Sequence, residues 1–120
     1  MKVILIVDDE APVRRALRRA LMAAGAEDLL LLEAENGLEG LELVRARDPD
    51  VIVSDWNMPV LDGLELLHAL RRDGRTTRFV LVTGYPTDDT RQRAADLGAD
   101  AVLQKPVSVE ELARAVFGDV

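Results

Sequence analysis

Short runs of apolar, β-prone residues alternate five times with stretches of helical periodicity along this 120-residue chain. That alternation limits the possible folds more than any other feature. The runs are Val3–Val7, Leu29–Ala34, Val51–Ser54, Phe79–Val82 and Ala101–Leu103. Each is too short for a helix and reads as a strand. Between the first two, Val13, Ala16, Leu17, Ala20, Leu21 and Ala24 keep the three–four spacing of one buried helix face. Arg14, Arg15, Arg18 and Arg19 take the other faces, and Gly25 is a plausible stop. A second helix is expected over Gly37–Arg47, with Leu38, Leu41 and Val44 inward, before Pro49. The third spans Leu64–Arg72, the fourth Asp88–Leu97, and the fifth Ser108–Phe117. The fifth turns Val109, Leu112, Ala113, Val116 and Phe117 to one side, and Ser108 and Glu111 have capping-box spacing at its start. Strand followed by helix, repeated with right-handed crossovers, makes an α/β fold: a single five-stranded parallel sheet with helices on both faces.

Composition narrows the function. A chain of 120 residues forms one domain with a sizeable core, and 48% apolar residues argue against disorder. No apolar stretch reaches the ~18 residues of a membrane span, and the N-terminus enters a strand with no signal-peptide pattern. Cysteine is absent, which removes disulfides and thiolate metal sites and fits a cytoplasmic protein. The net charge of −7 speaks against a nucleic-acid-binding surface. There is no linker, repeat or low-complexity segment. Lysine is confined to Lys2 and Lys105, so Lys105 is conspicuous.

The ends of the runs carry the chemistry. The first stops at Asp8-Asp9, the third at Asp55 and the fourth at Thr83, while the last leads to Lys105-Pro106. In an open α/β sheet, ligands sit beyond the carboxyl ends of the strands. Three acids, a hydroxyl and an amine therefore converge on one edge, which suits a divalent cation and a phosphoryl group. Asp8 or Asp9 could simply cap the helix near Ala11, with Pro12 in its first turn. Two adjacent acids exceed that need, and their repulsion favours a cation nearby. Asp55 ends a run apolar enough for a central strand, where Asp is depleted. The backbone carbonyl of Asn57 is a candidate ligand for a hard cation such as Mg²⁺. Asp55-x-Asn57 also begins like a calcium loop, but Pro59 stands where the next ligand belongs and the following glycine is missing, so that reading fails. Thr83-Gly84 would allow close approach of a phosphoryl oxygen. Lys105 would supply a point charge for it. Lys105-Pro106 is a candidate cis bond against a general X-Pro frequency of about 5–6%. His68 lies among polar neighbours on the third helix and has no catalytic role assigned. Trp56 and Tyr85 are the large aromatics near the site, and Trp56 should report on it by fluorescence.

The ordered set resembles a response-regulator receiver domain of bacterial two-component signalling. The elements are Asp8-Asp9, Glu35-Asn36-Gly37, Asp55, Met58-Pro59, Asp62-Gly63, Thr83-Gly84 and Lys105-Pro106. The segment Ser54-Asp55-Trp56-Asn57-Met58-Pro59, with Asp62-Gly63-Leu64-Glu65-Leu66-Leu67, is most similar to the stand-alone chemotaxis regulator. The resemblance implies the (βα)5 flavodoxin-like fold over residues 1–120. It implies that Asp55 accepts phosphate from the phosphohistidine of a histidine kinase or a histidine phosphotransfer protein, in a two-component system or phosphorelay. Asp9, Asp55 and the Asn57 carbonyl would bind Mg²⁺ directly, Asp8 largely through water, and Thr83 and Lys105 would hold the phosphoryl oxygens. Such a domain is a signalling switch rather than an enzyme, although it promotes its own phosphotransfer and autodephosphorylation. Its partner for output would meet the face from Asp88 to Phe117. A cytoplasmic monomer or weak dimer is implied, with neither nucleic acid nor membrane insertion.

One position departs from the family. Three residues before the lysine the family usually has Tyr or Phe, which swings inward on activation; here it is Val102. The chemistry should survive, while the threonine–aromatic coupling should not, so activation is expected to move the loop from Thr83 to Asp88, with Tyr85 registering the movement or covering the acyl phosphate. An effector domain is not expected within these residues, though they could be excised from a larger regulator or hybrid kinase. Two other classes compete: an interaction-only domain with a vestigial site, against which the intact acid, threonine and lysine set argues, and an aspartyl-phosphate hydrolase of the haloacid-dehalogenase type, which needs Asp-x-Asp at the first strand and a cap segment.

Overall fold

The computed structural model describes residues 1–24 and 28–118. Five strands and five helices alternate in chain order: β1 Lys2–Val7, α1 Ala11–Ala23, β2 Leu29–Ala34, α2 Gly37–Arg47, β3 Val51–Asp55, α3 Gly63–Arg72, β4 Arg78–Thr83, α4 Asp88–Asp96, β5 Ala101–Gln104 and α5 Val109–Phe117. All strand pairs are parallel, in the order β2-β1-β3-β4-β5. The order reverses between β1 and β3, and a crevice opens at their carboxyl ends.

Alternation along the strands splits the core into two layers. Ile4, Ile6, Val51, Val53, Val80 and Val82 face α1 and α5, meeting Leu17, Leu21, Leu112, Ala115 and Val116. Leu5, Val7, Ile52, Phe79 and Leu81 face the other way, onto Leu41, Val44, Leu66, Leu67, Leu70 and Ala94 of α2, α3 and α4. Every residue of β3 is buried, Ser54 and Asp55 included. This is the β3 that the run Val51–Ser54 foretold, extended by the acid itself.

Several helix positions depart from expectation. Leu38 is 48% exposed rather than inward. The start of α2 lies so close to the β3–α3 loop that Gly37 takes the inward place, its N–H donating to the Leu61 carbonyl at 3.1 Å. A Cβ on Gly37 would collide with that same carbonyl. Ala16 is exposed, and α1 is anchored by Leu17 and Leu21. On α5, Ala115 is buried instead of Ala113, and Val109 is 40% exposed, because the stripe runs Leu112, Ala115, Val116. α3 starts one residue early at Gly63, and α4 ends at Asp96 with Leu97 as its cap. Ser108 and Glu111 form the expected capping box, and Asp62 with Glu65 and Thr87 with Thr90 form two more. Neither Asp8 nor Asp9 is the N-cap of α1; Glu10 is, with no side-chain cap bond. Gly25 lies outside the described residues.

Candidate functional site

β1, β3 and β5 deliver the charged groups to one end of the sheet. Asp8 and Asp9 follow β1, Asp55 ends β3, and Lys105 follows β5. One carboxylate oxygen from each of Asp8, Asp9 and Asp55 lies within 4.8 Å of the others. Asp8 and Asp55 are buried and Asp9 is exposed, so the cluster opens to solvent on the Asp9 side. Lys105 Nζ reaches Asp55 Oδ1 at 3.0 Å and stands 3.8 Å from Asp8 Oδ2. The second distance is too long for a hydrogen bond, and Asp8 Oδ2 is left buried with no hydrogen-bond partner.

The other oxygen of Asp8 and one oxygen of Asp55 are tied to the backbone. Asp8 Oδ1 accepts from the Glu10 N–H at 2.9 Å, and Asp55 Oδ1 accepts from the Trp56 N–H at 3.0 Å. The Trp56 N–H also points to the Val82 carbonyl of β4 at 3.0 Å. Gly63 N–H donates to the Trp56 carbonyl at 2.8 Å, and a Cβ there would strike the Asp55 carbonyl oxygen and Leu81. Glycine is thus required where α3 starts against the end of β3. Between these anchors the β3–α3 loop makes a tight turn at Val60, whose φ is +72°, with Leu61 N–H donating to the Pro59 carbonyl at 2.8 Å. A β-branched residue is rarely held there, so this rim of the site carries backbone strain.

Thr83 is buried at the end of β4, one residue beyond Val82, the partner of Asp55 in the sheet. Its carbonyl accepts from the Lys105 N–H at 2.9 Å, which links the threonine and lysine ends of β4 and β5. Lys105-Pro106 is cis. Asn57 begins the loop with its side chain exposed. Tyr85 is 89% exposed, pointing to solvent and not over Asp55. Val102 packs against the α2–α4 layer, Trp56 is buried, and His68 is exposed.

Electrostatics follow from this packing. Burial pushes the Asp8 carboxyl up to about 6, helped by the charges of Asp55 and Asp9 and opposed by the Glu10 N–H and Lys105. Burial also raises Asp55 despite its hydrogen bond to Lys105. For Lys105 burial acts downward, but the Asp55 hydrogen bond and the charges of Asp55, Asp8 and Glu10 outweigh it, and the net shift is upward. The acids carry more negative charge than one lysine neutralises.

Two residues near this site carried no functional reading in the sequence. Arg14 of α1 donates through Nη1 to the Asp8 carbonyl at 2.6 Å and through Nε to Glu33 Oε1 of β2 at 3.0 Å. The arginine-rich polar face of α1 concealed it, because only the pairing of β1 with β2 brings Glu33 into reach. Beside Lys105 an apolar groove of about 520 Å³ runs between α1 and the β5–α5 loop, lined by Pro12, Val13, Ala16, Val82, Pro106 and Val107 among others.

The family model described as "Response regulator receiver domain" matches residues 4–117. The chain is 40% identical over 113 residues to the phosphate regulon transcriptional regulatory protein PhoB of Pseudomonas aeruginosa, covering 92% of this chain and 48% of that protein. It is 40% identical over 109 residues to the response regulator MprA of Mycobacterium sp. (strain KMS), covering 91% of this chain and 46% of that protein. The chain thus spans about half the length of the curated relatives it matches. Among solved structures, the chemotaxis protein CheY4 of Vibrio cholerae superposes with a TM-score of 0.88 at 30% identity, covering 100% of this chain and 99% of that one. The sheet order, the acid cluster at its switch point and these likenesses agree: the chain belongs to the response regulator receiver domains, the phosphorylation-dependent signalling switches of two-component systems.

Proposed function

We propose that residues 1–120 act as one receiver domain in which Asp55 accepts a phosphoryl group from the phosphohistidine of a histidine kinase or histidine phosphotransfer protein. The observation that carries this reading is the contact of Lys105 Nζ with Asp55 Oδ1 at 3.0 Å, inside a cluster of three acids. A carboxylate oxygen of Asp55 attacks phosphorus, the new O–P bond forms as the N–P bond of the donor breaks, and the donor imidazole leaves. Lys105 neutralises charge on the transferring oxygens, and the Thr83 hydroxyl holds one of them. Such a transfer depends on positioning and charge more than on covalent help.

Three acids around an incoming phosphoryl group need a counter-charge. The donor set fits Mg²⁺: hard carboxylate oxygens close together, one of them the buried, partnerless Asp8 Oδ2. Asp9, Asp55 and the Asn57 carbonyl would ligate it, with Asp8 acting largely through water. Bound there, the ion supplies positive charge that offsets repulsion between the phosphoryl oxygens and the acids. The apolar groove beside Lys105 gives the donor protein a surface to rest on next to the acceptor. Thr83 drawn toward the phosphoryl group would shift the Thr83–Asp88 loop, and with it the face from α4 to α5 that an output partner would read. Hydrolysis of the acyl phosphate in the same site would return the domain to rest, and the cytoplasm is where a kinase would meet it.

Incubation with acetyl phosphate and Mg²⁺, followed by intact-mass measurement, tests the proposal. One phosphate per chain, dependent on Mg²⁺, is expected. Absence of any adduct would favour an interaction-only domain, and rapid turnover of varied phosphoesters a hydrolase.

A further inference from the structure

Asp8 is pinned on nearly every side. Its N–H donates to the Ala34 carbonyl at 3.1 Å, which ends the pairing of β1 with β2. Its carboxylate Oδ1 accepts from the Glu10 N–H at 2.9 Å, and its own carbonyl accepts from Arg14 Nη1 at 2.6 Å. Oδ2 is the atom left over, buried and unpartnered beside Asp55 and Lys105. Arg14 is itself held. In the β1–β2 register Glu33 stands beside Ile6, so it shares the face that meets α1. Its two oxygens take Arg14 Nε at 3.0 Å and Arg18 Nη1 at 3.4 Å. The Arg14 side chain is only 16% exposed, well below the 43% of Arg18.

From this chain of contacts we infer that Arg14, oriented by Glu33, is a positioning residue for Asp8 and Asp9, holding the β1–α1 turn in the pose that presents both acids to the cation. The inference rests on the proposed Mg²⁺ site. A charged donor on a carbonyl makes a short, strong hydrogen bond. The planar fork of arginine lets one side chain serve Asp8 and Glu33 together, which a lysine ammonium cannot reproduce as rigidly. Groups that orient ligands from behind commonly change metal affinity by about 10–100-fold when removed. Arg18 meets the same glutamate without the Asp8 contact, so it serves as the internal control.

The measurement is a Mg²⁺ titration followed by Trp56 fluorescence, with melting temperatures in the absence of metal, on wild type, Arg14→Ala, Arg14→Lys, Glu33→Gln and Arg18→Ala. Arg14→Ala should weaken Mg²⁺ binding about tenfold, Arg14→Lys should recover part of the loss, and Glu33→Gln should show a smaller loss. The double variant Arg14→Ala/Glu33→Gln should bind no more weakly than Arg14→Ala alone, because Glu33 acts through the guanidinium. Arg18→Ala should bind like wild type even where its melting temperature falls. Wild-type Mg²⁺ affinity in Arg14→Ala would overturn the inference and leave the metal site standing. If Arg14→Ala does not fold, unchanged affinity in both Arg14→Lys and Glu33→Gln would overturn it equally. A wild type with no Mg²⁺ response would overturn the metal site and the inference together.

Discussion

Asp9 is the exposed acid of the cluster, and its negative charge acts on two buried carboxylates that have one lysine between them. Asp9→Asn should therefore raise the melting temperature of the metal-free protein while shrinking the further rise produced by Mg²⁺. Thermal melts with and without Mg²⁺ check this, and an undiminished Mg²⁺ increment would remove Asp9 from the ligand set. Tyr85 calls for the opposite of what its sequence position promised. With 89% of the residue exposed, it shields nothing, so Tyr85→Ala should leave dephosphorylation of Asp55 at the wild-type rate. A markedly shorter phosphate lifetime in that variant would show that the loop closes after phosphorylation. At this scale the convergence of the three acids and Lys105 was legible because each breaks the pattern of the strand it follows or ends. Arg14 and Glu33 were not, because their meeting depends on strand register and helix phase together, and each alone is an ordinary surface charge.

Among the elements, α4 is held least by its core. Ala94 is its one buried residue, and its cap Leu97 packs half-buried against the same core. Arg71, near the end of α3, adds a polar attachment just past α4. Its guanidinium donates to the carbonyls of Leu97 at 2.9 Å and Gly98 at 2.8 Å beyond α4, and to those of Arg75 and Thr77 at 3.0 Å in the α3–β4 loop. Arg71→Ala should cost about 2 kcal/mol, the scale of losing charged hydrogen bonds, and should speed amide hydrogen exchange in α4 more than in α2 or α5. Uniform exchange rates across the helices would mean that Arg71 contributes only global stability. The element order and most boundaries were readable from periodicity, since each strand run is short and each helix carries caps or breakers. On the inward faces of α2 and α5, Leu41, Val44, Leu112 and Val116 are buried as expected, while Leu38, Val109 and Ala113 were misjudged. Leu38 looked like a core residue, but Gly37 has to touch the Leu61 carbonyl, and the helix turns accordingly. Contacts between helix starts and loops leave no periodic trace in a sequence.

For the molecule as a whole, the buried acids tie stability to pH. Burial holds Asp8 at about 6 against an ordinary 3.8, and Asp55 shifts in the same direction. An acid whose folded value lies above its unfolded one binds more protons when folded, so metal-free stability should fall as pH rises from 3.8 to about 6. Mg²⁺ needs the deprotonated acids, so its stabilising effect should be small near pH 5 and full near neutrality. Denaturant melts across that range, with and without Mg²⁺, would contradict this if stability were flat in both. The central claim is that Asp55 accepts the phosphoryl group, and Asp55→Asn tests it most directly, because the amide keeps the volume and removes the nucleophile. Intact mass after treatment with acetyl phosphate and Mg²⁺ should show one added phosphate on the wild type and none on a variant whose circular dichroism matches it. The same adduct forming on Asp55→Asn at the wild-type rate would contradict the account.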